Sequence, residues 1–319
     1  MWISEENNDT GSMKVGDINV EVGDWLKIHG ENTLRRISYV TGNGANKCVY
    51  CQGTGPMPLG GATGDIVRVI GIDPAPVGGL DCFDAHQHYS HINSVGGREG
   101  FEALLGQTDK TVIAWDAPIS FNRELDFYTR PIEQANSPLS QWLAAQVAQG
   151  HLEHGAVNVR AFAGCPHWSI TCDCLGMPYG QPPQSLQIAE DAGQVGQVQE
   201  TPANFVIEVH PAVSMAIWWV GLGIAGAFPQ YKGNIPNAQR QAAMTTIWGG
   251  FLAAGLADGD TPVPDDDDQL DAWVAWKMGV DFLTGEACWI GTPESGGFVL
   301  PAMAEIQFGL ATAMEEYLA

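Results

Sequence analysis

Basic residues are scarce in this 319-residue chain. Lysine and arginine together number 14, against 37 aspartate and glutamate residues, so the formal net charge at pH 7 is −23. Because proteins bind duplex nucleic acid mainly by neutralising its phosphates, this charge argues against a tight, non-specific duplex binder. It leaves room for a metal-dependent site, since a bound cation offsets carboxylates locally.

The chain also lacks a continuous run of about 20 strongly apolar residues, which is the length that a membrane helix needs. The longest uncharged apolar stretch, Pro211 to Tyr231, is interrupted by glycine, proline and serine, and it predicts a buried helix followed by a loop. The N-terminus, Met1 to Glu6, is acidic and polar and does not have the pattern of a signal peptide. We therefore expect a cytoplasmic protein without membrane association.

Cysteines are few and odd in number, with seven in the chain, which favours a reducing compartment. Cys48 and Cys51 form one Cys-x-x-Cys pair, and a looser group follows at Cys165, His167, Cys172 and Cys174. Together these groups could hold a structural zinc ion. The spacing of Cys172 and Cys174 does not match a zinc knuckle, so free thiols or small buried side chains are the favoured interpretation.

The sequence pattern changes near residue 66. Residues 13–65 alternate short β-like runs with glycine-rich turns, which predicts a small all-β domain resembling an SH3-like barrel. From residue 66 the strands become nearly continuous apolar runs that end in an acid, as is typical of strands buried on both faces of an α/β sheet. We therefore predict an α/β domain over 66–319, with an irregular insertion at about 121–203.

Helices are predicted within and after this insertion from the spacing of apolar residues. The predicted ranges are Pro138–Gln149, Ala212–Trp219 and Ala238–Ala253, and a further helix follows the acidic run at 265–271. The remaining tail is interpreted as helix-like runs that end at Ile306–Leu318.

Carboxylates recur where apolar segments end. Asp73, Asp116 and Glu208 lie at strand ends, and Asp268 and Asp271 are spaced i and i+3 on one helical face. In open α/β sheets, functional groups collect outside the carboxyl ends of the strands. Mg²⁺ sites use a few carboxylates plus water, so a divalent-metal site is predicted. The alternative is that each acid is an ordinary turn or cap residue; Asp265–Asp267 are interpreted as loop charges in either case.

The order of elements and several phrases resemble the ribonuclease H-like superfold and, more narrowly, the domain-of-unknown-function family 429, a group of predicted nucleases. The matching phrases span residues 67–283, and the Asp-Ala-Pro and Glu-x-His-Pro phrases are the most specific of them. They are Val69-Ile70-Gly71-Ile72-Asp73, Val112-Ile113-Ala114-Trp115-Asp116-Ala117-Pro118, Ile207-Glu208-Val209-His210-Pro211, Tyr231-Lys232-Gly233 and Asp267-Asp268-Gln269-Leu270-Asp271-Ala272.

The resemblance implies a ribonuclease H-like mixed sheet flanked by helices, preceded here by the extra all-β domain, and a nuclease that uses two Mg²⁺ or Mn²⁺ ions. Asp73 would bridge the two metals, and Asp116 with Asp268 or Asp271 would complete the shell. Glu208 is a further candidate ligand. Metal-bound water would then hydrolyse a phosphodiester bond without a protein nucleophile.

Two bases are candidate substrate contacts in this interpretation. Lys232 and Arg240 could each meet a phosphate, or they could be ordinary surface bases. His210 could lie near the metals or be a buried histidine. The expected partner is a structured or single-stranded nucleic acid, with weak binding of bulk duplex because of the acidic surface.

Two other functions stay open. The chain could be a non-catalytic binding or assembly module that keeps the fold and docks a protein partner through the N-terminal barrel. An actin-like sugar kinase or ATPase is ranked last, because Pro74 and Pro76 remove N–H donors after Asp73, where such proteins cradle phosphate. A Walker-type glycine-rich loop is also missing from the sequence.

Overall fold

The computed structural model describes the chain at residues 11–14, 20, 22–28, 34–43, 48–51, 64–75, 78–86, 88–93, 110–119, 130–159, 204–292 and 296–319. Within these ranges the chain has a mixed α/β fold. The strands are β1 Gly11–Lys14, β2 Trp25–Ile28, β3 Leu34–Thr41, β4 Cys48–Cys51, β5 Gly64–Ala75, β6 Gly79–Asp84, β7 His88–Asn93, β8 Lys110–Trp115, β9 Asn204–Glu208, β10 Ala287–Thr292 and β11 Gly296–Pro301. The α-helices are α1 Pro138–Ala148, α2 Pro211–Gly221, α3 Asn237–Ala254, α4 Asp267–Thr284, α5 Met303–Ile306 and α6 Leu310–Leu318, and a 3₁₀ turn covers Pro131–Glu133.

Strand β5 is the axis of the main sheet. Its first residues pair antiparallel with β2, and its last residues, Gly71 to Ala75, pair antiparallel with β6. On the opposite edge, residues 67–72 pair in parallel with β8, which in turn pairs in parallel with β9. Since β6 also pairs antiparallel with β7, the strand order across this part of the sheet is β7-β6-β5-β8-β9.

The N-terminal strands extend the same sheet in the order β1-β4-β3-β2-β5. They enclose a small hydrophobic cluster of their own, to which β5 contributes Ile66. The predicted boundary between residues 65 and 66 falls inside β5, so one long strand serves both the N-terminal strands and the α/β part. Cys51 belongs to this small cluster, and burial raises the pKa of its thiol to about 11. The looser cysteine and histidine group at 165–174 lies outside the described residues.

Helix α4 crosses the sheet over β5, β6 and β8 and organises the main core. Asp266 caps its start by accepting a hydrogen bond from the Gln269 N–H at 2.8 Å, and Gly285 ends it with a left-handed φ of 83°. Acids in the first turn suit the positive end of the helix dipole. Its fully buried Trp273 stacks on Phe251 of α3 at 5.8 Å between ring centroids.

Gly71 sets how closely α4 approaches the sheet. A Cβ atom on Gly71 would lie 2.1 Å from both the Ala272 carbonyl oxygen and the Trp276 amide nitrogen, so no side chain fits between strand and helix. Residues two apart on a strand point to the same face, and Asp73 therefore faces the helix as Gly71 does. This contact places Asp73 beside the residue that precedes Ala272, which is Asp271.

The predicted helices at 138–149, 212–219 and 238–253 are confirmed as α1, α2 and α3. Among the helices that the structure describes, none is both long enough and apolar enough to cross a bilayer. The interpretation of the tail as helix-like runs is wrong for Ala287–Thr292 and Gly296–Pro301, which pair as the antiparallel strands β10 and β11. Their β-branched and aromatic residues pair across the hairpin, and Val299 of β11 bridges Val209 after β9.

Candidate metal centre

Three aspartates from three separate elements meet at the carboxyl ends of the central strands. Asp73 lies near the end of β5 and Asp116 directly follows β8, and these strands are parallel neighbours. Asp271 comes from the first turns of α4, across from Gly71. One carboxylate oxygen from each aspartate lies within 4.8 Å of the other two. Three of the five acids that the sequence singles out as candidate metal ligands are therefore close together.

Lys232 lies inside this cluster. Its ammonium nitrogen forms an ion pair with Asp271 Oδ2 and lies 3.5 Å from Asp73 Oδ2. The other oxygen of Asp271, Oδ1, accepts a hydrogen bond of 2.8 Å from the Tyr231 hydroxyl. Both oxygens of Asp271 are therefore held by adjacent residues of the loop that follows α2.

Burial makes it unfavourable for all carboxylates of the cluster to be ionised in the absence of a bound cation. Burial raises the pKa of Asp73 to about 7, Lys232 opposes that shift, and the charges of Asp271 and Asp268 add to it. Burial likewise raises the pKa of Asp116 well above its usual value, and Asp73 and Asp271 raise it further. Three carboxylates this close cannot all be ionised comfortably beside a single ammonium group.

Asp268 lies one turn before Asp271 on the same helical face, and it lines the same cavity. Burial raises its pKa, Lys232 lowers it and the neighbouring Asp267 raises it. It is not one of the three aspartates whose oxygens lie within 4.8 Å of one another. Of the helix pair that the sequence singles out, Asp271 is the member that joins the strand acids.

Glu208 has other contacts. Its Oε2 accepts a hydrogen bond of 2.8 Å from the Ile119 N–H, and its Oε1 forms a 2.8 Å ion pair with Arg130. Arg130 also pairs with Glu133 of the 3₁₀ turn. The structure thus places this predicted ligand in a buried ion-pair network that holds the segment after Asp116, and not in the carboxylate cluster.

The second predicted phosphate contact, Arg240, lies outside the cluster. Its guanidinium donates to the Gly233 carbonyl at 3.1 Å and lies 3.4 Å from Asp267 Oδ1. Asp265 is exposed and Asp266 caps α4, as expected for charges that serve the loop and the helix start. Arg240 therefore ties α3 to the loop that carries Lys232 and to the start of α4.

The aspartates open onto a cavity of about 1100 Å³. One part of its wall is polar, with the three aspartates, Asp268, Lys232 and His210. Another part is apolar and comes from α1 and residues 152–159, including Leu143, Val147 and Val157. A pocket with apolar walls and a few convergent polar groups is the usual form of a binding site for a small molecule.

His210 precedes α2 and lines this cavity. Its ring packs edge-on against Phe298 with centroids 5.6 Å apart, and its Nδ1 is buried without a hydrogen-bond partner in the described part of the chain. Burial lowers the pKa of the imidazole to about 4, so it is neutral at pH 7. The residue as a whole is half-buried, with a fully buried Nδ1, and it lines the cavity that the aspartates line.

Sequence reasoning missed Tyr231 and Arg130. Tyr231 belongs to the Tyr231-Lys232-Gly233 phrase, so its place beside a candidate base was the available signal. Arg130 lies in the irregular insertion, and nothing in the sequence links it to Glu208, 78 residues later.

A protein-family comparison matches residues 71–295 to the family described as "Protein of unknown function (DUF429)". The matched region runs from β5 to the hairpin β10–β11, and it contains all three clustered aspartates and Lys232. Searches of curated proteins and of solved structures found no match.

Proposed function

We propose the following activity for this chain, which belongs to the DUF429 family: hydrolysis of phosphodiester bonds in nucleic acid, dependent on Mg²⁺ or Mn²⁺ held by Asp73, Asp116 and Asp271. The observation that carries the proposal is the approach of three carboxylates, from two parallel strand ends and one helix, to within 4.8 Å. Capping and solvation do not require such an arrangement.

The donor set fits a hard divalent cation. Mg²⁺ and Mn²⁺ prefer oxygen ligands, and all three side chains offer carboxylate oxygen. The raised pKa values of Asp73 and Asp116 give a further reason, since a bound cation offsets both the desolvation of these carboxylates and the repulsion from their neighbours. When bound, such a cation activates water and stabilises charge on the phosphodiester.

The chain's own groups prepare the site. Tyr231 and Lys232 fix both oxygens of Asp271, so that this carboxylate cannot rotate away. Glu208 holds the Ile119 N–H and thereby the segment that begins at Asp116. His210, neutral at pH 7, adds no positive charge to the wall of the cavity and can accept a hydrogen bond through Nδ1.

The finer fold assignment belongs to the same proposal. We propose that this part of the sheet is of the ribonuclease H-like type. Two features support the assignment: three antiparallel strands followed by two strands parallel to the first, in the order β7-β6-β5-β8-β9, and a late helix that carries an acid to the central strand. We propose in addition that the N-terminal strands form an SH3-like unit that docks a protein partner.

The cavity bears on the form of the substrate. With a net charge of −23 and bases engaged by acids near the site, the chain has little to hold an extended duplex. A cavity with an acidic part and an apolar part suits a strand end or an unpaired nucleotide, whose base packs on the apolar wall while its phosphate meets the aspartates.

Filling the apolar part of the cavity is expected to weaken activity without affecting the cation. Ala144 of α1 is exposed and lines the cavity, and a tryptophan there would occupy the space of a base. For Ala144→Trp we expect kcat/KM for a single-stranded substrate to fall at least about tenfold, with unchanged Mn²⁺ affinity. Ala145→Trp is the matched control, because Ala145 is exposed on the same helix and does not line the cavity. Equal kcat/KM values for the two variants would exclude this substrate pose.

The activity is tested by incubating the protein with single-stranded, duplex, hybrid and branched nucleic acids in Mg²⁺ or Mn²⁺, and in chelator. We expect cation-dependent cleavage of at least one unpaired or branched substrate. Asp271→Asn should reduce it by more than about a hundredfold, since changes to groups behind a metal ligand alone cost 10- to 100-fold. Asp265→Asn, which changes an exposed acid of the same acidic run, should retain full activity.

Cleavage that persists in Asp271→Asn would remove the aspartate cluster from the mechanism. Saturable cation binding with no cleavage of any substrate would favour the non-catalytic binding module instead.

A further inference from the structure

We infer that the ammonium group of Lys232 takes the place of one of the two metal ions that the resemblance implies, so that the centre binds a single divalent cation. The inference rests on the proposed metal-dependent function and goes beyond it, because it assigns the second positive charge to a protein side chain.

The position of the ammonium group is the first argument. Lys232 Nζ contacts Asp271 and lies 3.5 Å from Asp73, so it bridges a strand carboxylate and the helix carboxylate. A bridging cation would occupy that place. Asp116, by contrast, has no ion-pair partner among the described residues, so its carboxylate, which lies within 4.8 Å of oxygens of Asp73 and Asp271, remains to hold one divalent ion with them.

The charge of the cluster is the second argument. The three clustered carboxylates carry three negative charges, which one ammonium and one divalent cation balance. A second divalent cation beside Lys232 would give these four groups an excess of two positive charges, which the nearby Asp268 would offset only in part. Uncompensated buried charge is strongly unfavourable, so the balanced occupancy is preferred.

The loop that carries Lys232 is anchored on both sides, which is the third argument. The Gln230 N–H donates to Glu153 Oε2 at 2.9 Å, and the Gln230 side-chain amide donates to the Lys232 carbonyl at 3.2 Å. On the other side, Arg240 donates to the Gly233 carbonyl. With Tyr231 bonded to Asp271, these contacts hold the ammonium group in the cluster.

The test is the number of Mn²⁺ ions bound per chain, measured by calorimetric titration at pH 7.5. We expect one ion for the wild type and two for Lys232→Met, which keeps an unbranched apolar stem and removes the charge. Lys277→Met is the matched control: Lys277 pairs with the buried Asp281 of the same helix as Asp271, and it should leave the number at one. Circular dichroism confirms that each variant is folded.

Two ions in the wild type, or one ion in both the wild type and folded Lys232→Met, would overturn the inference while leaving the proposed metal dependence intact. No saturable binding to the wild type would overturn the proposed function itself. The wild-type measurement decides the number of sites even if Lys232→Met does not fold.

Discussion

Replacing Asp73 with asparagine is expected to make the metal-free protein more stable at pH 8. The folded protein raises the pKa of this carboxyl from 3.8 to about 7, chiefly through burial, so ionised Asp73 costs free energy in the fold. Asparagine has nearly the same shape and no charge, and Lys232 keeps its ion pair with Asp271. From the size of the pKa shift we expect the free energy of unfolding to rise by roughly 2 to 4 kcal/mol.

This gain has a defined pH dependence. Because the folded-state pKa of Asp73 lies above the unfolded value, its contribution to stability is fully present below about pH 4 and is lost as pH rises towards 7. The difference between Asp73→Asn and the wild type should therefore be small at pH 4.5 and largest at pH 8. Urea denaturation in chelator measures it, with Asp265→Asn as the control that should match the wild type at both pH values. An Asp73→Asn protein less stable than the wild type at pH 8 would contradict the electrostatic account.

Gly71→Ala is expected to lower the free energy of unfolding and to displace helix α4 from the sheet. The added Cβ would lie 2.1 Å from two backbone atoms of α4, Ala272 O and Trp276 N, and neither can move without shifting the helix. We expect a loss of about 3 kcal/mol or more in unfolding free energy, at the upper end of overpacking costs. The fraction of Gly71→Ala protein that still folds should also bind Mn²⁺ more weakly than the wild type does, because the displaced helix carries Asp271 away from Asp73.

The control for this change is Gly249→Ala. Gly249 lies within α3, and a Cβ there meets no atom within 4 Å. Alanine should therefore stabilise the helix by about 0.5–1 kcal/mol. If Gly71→Ala unfolds at the same urea concentration as the wild type, close contact between strand and helix does not set the geometry of the site.

The strand-end acids could be predicted from the sequence because their signal is local. Asp73 and Asp116 each follow a buried apolar run, and the helix pair follows a run of acids that suits a helix start. Parallel pairing then brings the two strand ends to one edge of the sheet. The choice of Asp271 over Asp268 needed the structure, because it depends on how α4 is rotated over Gly71.

The partners of the acids could not be predicted in the same way. Lys232 contacts Asp73 although 159 residues separate them, and Arg130 contacts Glu208 from within an irregular segment. The spacing of residues along the sequence therefore does not predict either contact. The paired strands β10 and β11 could not be predicted, because short apolar runs fit a helix or a strand equally until their partners are known. The change in sequence pattern near residue 66 coincides with a change of core: Ile66 packs in the small N-terminal cluster, and Val67 and Val69 pack in the main core. Strand β5 nevertheless continues through this point without a break.

Electron paramagnetic resonance of Mn²⁺ tests the central claim most directly, because it reports the free ion without needing a substrate. Titrating Mn²⁺ into the wild-type protein at pH 7.5 should remove the free-ion signal in a saturable manner, and Asp73→Asn should abolish this loss while Asp265→Asn preserves it. If the wild type leaves the free signal unchanged, or Asp73→Asn binds Mn²⁺ as the wild type does, the three aspartates are not the ligands of a divalent cation.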